Sequence, residues 1–417
     1  MEPSLRFRPL RPAVAIDGAT TLELLIGITA PEAAAADQNK PRPPLNLALV
    51  IDRSGSMGGN KLSQARKAAR FLVGELSSRD RLAIVTFDDE VSVLVPSQPV
   101  VNTREFNSAI NHIHSGGSTA LFDGWLAGGT QVAEHLDPAA LNRVLLLSDG
   151  QANQGLTNQD AIADKVKGLS RRGISTSAFG LGADFDEDLM GAIASAGDGT
   201  LAHIESPDQL ADLYASELQG LNSTVGRRLS LVIETCHGAQ LLDLLNDLPR
   251  NPQGEYQLPN LRQGQELSVG LKLQLPAWLP NQEILRVRLA WEAPGNQQRQ
   301  SLSSGLSLQV CPAAELAGLA NDAAVEEELT MLQANRARRQ ALVELDRGDF
   351  LAAEGTLGAM YTRLSCLASS EDSIEEMSLL KAKMEMLRTN HSRARKALSG
   401  ESLRSSLNVW LGKGKEK

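Results

Sequence analysis

Between Leu45 and Leu221 the sequence alternates between two textures, and this limits the possible folds more than any other feature. Continuous apolar runs bounded by turn residues occur at Leu45–Ile51, Leu82–Phe87, Val144–Leu147 and Ile174–Leu181. They read as buried parallel strands, because a strand covered on both faces needs no polar side. Segments with apolar residues at helical spacing lie between and after them: Lys61–Leu76, Glu105–Ile113, Leu121–Leu136, Gln159–Arg171, Glu187–Ala196 and Gln209–Leu221. Val91–Val95 follows the turn Asp88-Asp89-Glu90 and reads as an antiparallel hairpin partner of Leu82–Phe87. Strand and helix in alternation imply an α/β fold, a doubly wound and mostly parallel sheet with helices on both faces.

The flanking regions have other patterns. Leu5–Phe7 and Thr21–Ile28 are short β-like runs, and Ala30–Pro44 reads as a connector. After Leu221 come Arg227–Glu234, Glu255–Leu258, Glu266–Leu275, Ile284–Trp291 and Leu306–Val310, which are β-branched or alternating and separated by Gly, Pro and Asn. These imply a β-sandwich to which the N-terminal runs add strands, so that the α/β domain is an insertion with its ends close together. From Ala313 the chain reads as helical, over Asp322–Arg347, Asp349–Leu367 and Ile374–Leu398, with Gly348 as a stop and Asp349 placed to cap the next helix. The expected organisation is therefore N-terminal strands over 1–40, an α/β domain over 41–224, a β-sandwich over 225–311, a helical region over 312–400 and a basic flexible tail over 401–417.

The 417 residues carry a net charge of −9, which argues against nucleic acid as the main partner, since phosphate binding rests on clustered Lys and Arg. The start, MEPSLRFRPLRP, has charge but no apolar core after it, so no secretory signal is expected. No run approaches the roughly 18 apolar residues needed to span a bilayer. Cys236, Cys311 and Cys366 form neither a CxxC pair nor a disulfide framework. The expectation is a cytoplasmic protein.

The chemistry concentrates in three loops. The run Leu45–Ile51 leads into Asp52-Arg53-Ser54-Gly55-Ser56. In an open α/β sheet ligands sit beyond the carboxyl ends of the strands. An Asp followed by Ser two and four residues later can place three oxygens around one point, with glycines at 55, 58 and 59 allowing the tight bend. Oxygen donors of mixed charge suit a hard cation, Mg²⁺ in particular, with Ca²⁺ and Mn²⁺ as alternatives. Gly116-Gly117-Ser118-Thr119 offers a hydroxyl from a loop entering a helix, and Ser148-Asp149-Gly150 offers a second carboxylate at the end of Val144–Leu147.

Asp-x-Ser-x-Ser, a later Gly-Gly-x-Thr and an Asp-Gly after an apolar strand, in this order, resemble the metal-ion-dependent adhesion site (MIDAS) of von Willebrand factor A (VWA) domains. The resemblance covers about residues 45–221, and all five motif positions match. It implies a Rossmann-like sheet and a divalent cation held directly by Ser54 and Ser56, directly or through water by Thr119, and mostly through water by Asp52 and Asp149. A partner's carboxylate would fill the remaining position. More loosely, the whole arrangement resembles bacterial cytosolic VWA proteins, and its sheet domain the heavy chains of inter-alpha-trypsin inhibitor.

The implied function is cation-dependent protein binding, an adaptor rather than an enzyme. Two acids and neutral hydroxyls leave an ion electron-poor, so an acidic partner side chain is attracted. The helix near Leu121 adds positive potential from its N-terminus. Catalysis would need a positioned base or nucleophile, which no motif supplies. The implied partner is a protein with an exposed Asp or Glu, and family habit points to an AAA+ ATPase or a signalling kinase or phosphatase. A surface adhesin and a metal-dependent hydrolase are the alternatives. Arg53 and Met57, inside the first loop, either contact that partner or pack, and Asn153 is either a rim contact or a loop-stabilising amide. His112 and His114 read as solvated residues near a helix end rather than ligands, and Asp88 and Asp89 as hairpin-turn residues.

Overall fold

A computed structural model describes residues 2–31, 42–182, 185–204, 206–251, 253–293, 298–367 and 369–389, with Ala394 and Leu398. These residues form two compact units. One comprises residues 2–31, Val225–Glu292 and the chain from 298 onward, and the other residues 42–224. The expected basic tail, and the end of the third expected helix apart from Ala394 and Leu398, lie outside the described residues.

The N-terminal segment supplies strands β1 (Ser4–Pro9), β2 (Ala13–Ala15) and β3 (Thr20–Thr29). The unit spanning 42–224 then holds β4 (Leu45–Asp52), α1 (Asn60–Glu75), β5 (Arg81–Phe87), β6 (Val91–Pro99), α2 (Thr103–Asn111), α3 (Leu121–Glu134), β7 (Leu141–Ser148), α4 (Gln159–Arg171), β8 (Ile174–Leu181), α5 (Glu187–Ala196), β9 (Leu201–Ile204) and α6 (Leu210–Asn222). Its sheet runs β6-β5-β4-β7-β8-β9. All neighbours are parallel except β5 and β6. From β4 the chain crosses to β5 on one side and later returns to β7 on the other, so the winding reverses between β4 and β7. That switch point opens a crevice at the carboxyl ends of both strands.

The apolar runs become strands because the sheet is covered on both faces. Every residue of β4 and β7 is buried. Leu47, Leu49 and Ile51 share a core with Leu72 and Val73 of α1 and Tyr214 of α6. Each such fully buried aliphatic side chain contributes about 1.5–3 kcal/mol. On the opposite face α3 approaches through glycines. A Cβ on Gly128 would meet Val50 Cγ2 at 2.3 Å, and one on Gly124 would meet the Phe87 ring at 2.5 Å. Trp125 of α3 donates its indole N–H to Thr176 of β8 at 3.1 Å, which ties the helix across the sheet.

The other unit continues with β10 (Thr224–Thr235), β11 (Gln240–Leu244), β12 (Tyr256–Gln257), β13 (Leu261–Arg262), β14 (Glu266–Leu275), β15 (Leu285–Glu292), β16 (Arg299–Leu306) and β17 (Gln309–Cys311). One sheet is ordered β1-β3-β14-β11 and a second β12-β10-β15-β16, with β13 on β10, while β2 pairs with β17. The two larger sheets face one apolar core, Leu24, Ile26 and Val269 from one and Leu231, Val287 and Leu289 from the other. N-terminal β3 lies between β1 and β14, with Leu24 opposite Leu271.

Among the described residues the helices α7 (Ala313–Gly318), α8 (Ala323–Asp346), α9 (Phe350–Leu367) and α10 (Glu371–Thr389) follow. α8 lays Leu329 and Leu332 on Leu25 and Leu245 of the sandwich, and Arg336 bridges Asp243 at 2.6 Å and Asp247 at 2.5 Å. Among the described residues no helix is long and apolar enough to cross a membrane.

Five of the described strands were not expected from the sequence: β2 and β13, only three and two residues long, and β9, β11 and β16. β9, Leu-Ala-His-Ile, is too short to show a period. β11 alternates exposed and half-buried residues until Leu244. β16, Arg-Gln-Ser-Leu-Ser-Ser-Gly-Leu, is a polar strand whose apolar side chains are Leu302 and Leu306. The expected run Leu306–Val310 therefore divides between the end of β16 and β17.

Candidate metal centre

The crevice at the switch point gathers the three loops. Asp52 is the last residue of β4 and is fully buried. The chain then turns through Ser54-Gly55-Ser56-Met57 and enters α1 by way of Gly59, whose φ of 75° is in the left-handed region that glycine tolerates. Asp52 Oδ1 accepts the backbone N–H of Ser54 at 2.8 Å, and its Oδ2 accepts the Ser148 hydroxyl at 2.5 Å. Ser54 and Ser56 place their hydroxyl oxygens 3.1 Å apart, and Ser56 donates to Asp149 Oδ1 at 2.7 Å. Lys61, in the first turn of α1, donates to Asp149 Oδ2.

Thr119 reaches the same place from the loop that precedes α3. A Cβ built on Gly150 would lie 3.5 Å from Thr119 Oγ1 and 3.7 Å from Ser56 Oγ, so both hydroxyls close on the space that Gly150 leaves open. Thr119 is buried. Its backbone is held at both ends by Asn153: the Thr119 N–H donates to Asn153 Oδ1 at 2.9 Å, and the Asn153 N–H to the Thr119 carbonyl at 3.2 Å. The structure thus brings Asp52, Ser54, Ser56, Thr119 and Asp149 together.

This donor set fits a small hard cation. It is all oxygen, neutral hydroxyls beside two carboxylates. Among the described residues no group of three or more His, Cys, Asp or Glu is gathered to hold a metal, and the set here relies on hydroxyls beside its two acids. Burial raises the Asp52 pKa by disfavouring the charged form. The hydrogen bonds from Ser148 and Ser54 act the other way, and the nearby Asp149 charge adds to the rise. A buried acid beside a second acid is a place where positive charge is stabilising.

The remaining side chains divide. Arg53 turns its guanidinium to Asp88 at 3.0 Å and is partly buried. Asn153 is exposed, and its side-chain oxygen braces the Thr119 backbone as a loop-stabilising amide. Met57 corrects the reading of it as a partner contact: it is fully buried in the core beneath the sheet. The tight turn after Ser56 points its thioether inward, where an apolar side chain belongs. His112 ends α2, with its ring nitrogen 2.7 Å from the Ser108 carbonyl.

Three contributors stand out that the motif did not reveal. Asp88 does more than make a hairpin turn: its carboxylate accepts from Glu90 N–H at 2.9 Å, Arg53 and Gly117 N–H at 3.3 Å, and so ties the β5–β6 turn to two metal loops. A Cβ on Gly116 would meet Asp88 Oδ2 at 1.8 Å and one on Gly117 would meet Asp89 Oδ1 at 2.1 Å, so both glycines are needed for this closeness. Ser148 could have been found from strand pairing, since Ile51 lies opposite Leu147 and Asp52 and Ser148 are the residues that follow them. Lys61 had no signal beyond a position five residues after Ser56.

Residues 46–216 match the family model of the von Willebrand factor type A domain. The chain carries a VWA domain. An uncharacterized protein of Synechocystis sp. is 28% identical over 330 residues, covering 76% of this chain and 78% of that protein. Inter-alpha-trypsin inhibitor heavy chain H3 of Rattus norvegicus is 28% identical over 247 residues, covering 57% of this chain but 26% of the heavy chain. Among solved structures, a von Willebrand factor type A protein from Catenulispora acidiphila superposes with a TM-score of 0.68 at 18% identity, over 97% of this chain and 96% of that one. This last likeness is one of fold, and it covers residues outside the VWA domain as well. VWA domains commonly mediate protein–protein interactions and often bind a divalent metal at the MIDAS.

Proposed function

We propose that the VWA domain is a divalent-cation-dependent protein-binding module, an adaptor rather than an enzyme, which recognises an exposed Asp or Glu of its partner. The observation that carries this reading is the convergence of Ser54, Ser56 and Thr119 hydroxyls with the Asp52 and Asp149 carboxylates at the sheet's switch point. Ser54 and Ser56 would hold the cation directly, Thr119 directly or through water, and Asp52 and Asp149 mostly through water. A bound Mg²⁺ would supply local positive charge for a partner's carboxylate. The protein's part is to fix the hydroxyls and to hold both acids by hydrogen bonds.

Both oxygens of Asp52 and both of Asp149 accept hydrogen bonds, which favours holding an ion over abstracting a proton. That supports binding against hydrolysis. The three free thiols, Cys236, Cys311 and Cys366, suit a reducing cytoplasm rather than an adhesin's surroundings. An AAA+ ATPase or a signalling kinase or phosphatase is the partner class to examine first.

The test is retention from a lysate of the source cells on immobilised wild-type protein and Asp52→Ala, each in Mg²⁺ and in EDTA. A protein held only by wild type in Mg²⁺, and released by a competing acidic peptide, is the expected result. Equal retention in all four arms would move the interface away from the metal centre.

A further inference from the structure

We infer that Lys61 is an affinity-setting residue of the metal centre, a tethered cation that competes with the divalent ion for Asp149 and keeps metal binding weak until an acidic partner joins. This rests on the reading of the site as a cation centre. Asp149 directly follows β7 and has a fully buried side chain. One of its oxygens takes the Ser56 hydroxyl and the other takes the Lys61 ammonium. Of the two carboxylate charges at the site, one is thus already matched by a cation of the chain itself. A metal approaching the Ser54 and Ser56 hydroxyls meets a site of net charge near −1, not −2.

The placement of Lys61 calls for such a reason. It stands in the first turn of α1, where the helix presents its positive end and where acidic residues are favoured. That turn contains no acid, and Asn60 and Lys61 begin it. A lysine there is repelled by its own helix and is held by Asp149. Its aliphatic stem passes the end of β8: a Cβ on Gly182 would lie 3.7 Å from both Lys61 Cε and Nζ. The side chain is 30% exposed, so the ammonium can leave for water when a divalent ion takes its place. Among the described residues no cation pairs with Asp52: its oxygens take hydrogen bonds from Ser54 and from the Ser148 hydroxyl.

A consequence follows for recognition. While Lys61 holds Asp149, metal alone fills the centre poorly, and a partner carboxylate that completes the cation's surroundings draws the ion in, so metal and partner bind cooperatively. A neutral residue at 61 would give a centre that fills with metal alone.

The experiment is calorimetric titration of Mg²⁺ alone, at fixed ionic strength, into the full-length wild type and Lys61→Met, Lys61→Gln and Lys61→Arg. The Met and Gln variants should bind Mg²⁺ about tenfold more tightly than wild type, equivalent to about 1.4 kcal/mol. The Arg variant, which keeps the charge, should stay within about twofold. The two neutral variants also guard against one of them failing to fold, which metal-free circular dichroism melts will show. If wild type binds Mg²⁺ and the neutral variants bind equally or more weakly, Lys61 is not a competitor and the inference falls while the metal centre stands. If neither wild type nor the neutral variants bind, the metal centre falls and the inference with it.

Discussion

Ser148 donates its hydroxyl to Asp52 Oδ2 at 2.5 Å, joining the carboxyl ends of two adjacent parallel strands, β4 and β7. Burial works against an ionised Asp52, and this bond works for it. Residues that orient metal ligands commonly carry 10–100-fold in metal affinity. Ser148→Ala should therefore weaken Mg²⁺ binding by about tenfold or more, by removing the hydroxyl that holds Asp52 Oδ2. It should remain folded, at a cost of about 1–3 kcal/mol for the lost donor. Calorimetric titration decides this, and wild-type affinity in Ser148→Ala would show that Asp52 needs no support from β7.

Metal removal gives the second prediction. An ion that binds only the folded state stabilises it by about 2.7 kcal/mol when present at a hundred times its Kd. Scanning calorimetry in saturating Mg²⁺ and in EDTA should show a rise of several degrees in the transition of the VWA domain. Asp52→Ala should melt at the same temperature in both. Because the chain has two compact units, the metal should move one transition and leave the other in place.

Much of this architecture could be read from residues in order. Leu45–Ile51 and Val144–Leu147 announce buried strands because parallel strands are apolar on both faces, and β4 and β7 are buried throughout. The metal motif was legible because its three parts each follow a strand or precede a helix. What escaped was whatever depends on pairing across the sheet. Asp88 reads locally as a turn residue, yet its work is to hold Gly117 and Arg53 from two other loops. Lys61 reads as a surface residue of an amphipathic helix until the fold brings Asp149 to it. Met57 reads as a loop residue that could contact a partner or pack, and the fold decides for packing by burying it in the core. β16 hid for a related reason: its Ser-rich side faces away from the core, and periodicity cannot tell such an edge from a loop.

The close seat of α3 on the sheet makes a third prediction. Gly124 and Gly128 stand one helical turn apart and face Phe87 and Val50 at distances no side chain could occupy. Gly124→Ala and Gly128→Ala should each destabilise the VWA domain by about 1–3 kcal/mol through overpacking, although alanine is the better helix former. Gly74, in α1, has nothing within 4 Å of a built Cβ, so Gly74→Ala should be neutral or stabilising by up to about 1 kcal/mol. Urea unfolding of the three variants separates packing from helix propensity. Three equal shifts would mean that α3 does not need its glycines.

The last prediction concerns the α-helical segment and the sign of its acid response. Glu327 of α8 is buried, and its carboxylate closes the start of α10. One oxygen accepts from Ser369 N–H at 3.1 Å, Ser370 N–H at 2.9 Å and the Ser370 hydroxyl at 2.6 Å, and the other accepts the Ser369 hydroxyl at 2.7 Å. Burial opposes the charge, but the hydrogen bonds from Ser370, Ser373 and Ser369 outweigh it and hold the pKa at about 2. In the unfolded chain a glutamate titrates near 4.3, so folding favours the ionised form. The stabilisation is complete above the unfolded value and disappears as pH falls toward about 2. Glu327→Gln should therefore cost about 1.5–3 kcal/mol at neutral pH, the range for hydrogen bonds to a charged group. That cost should shrink steadily between about pH 4.3 and pH 2. Denaturant unfolding of wild type and Glu327→Gln across that range gives the difference directly. A difference that is constant with pH would mean the carboxylate's charge contributes nothing to holding α10 on α8.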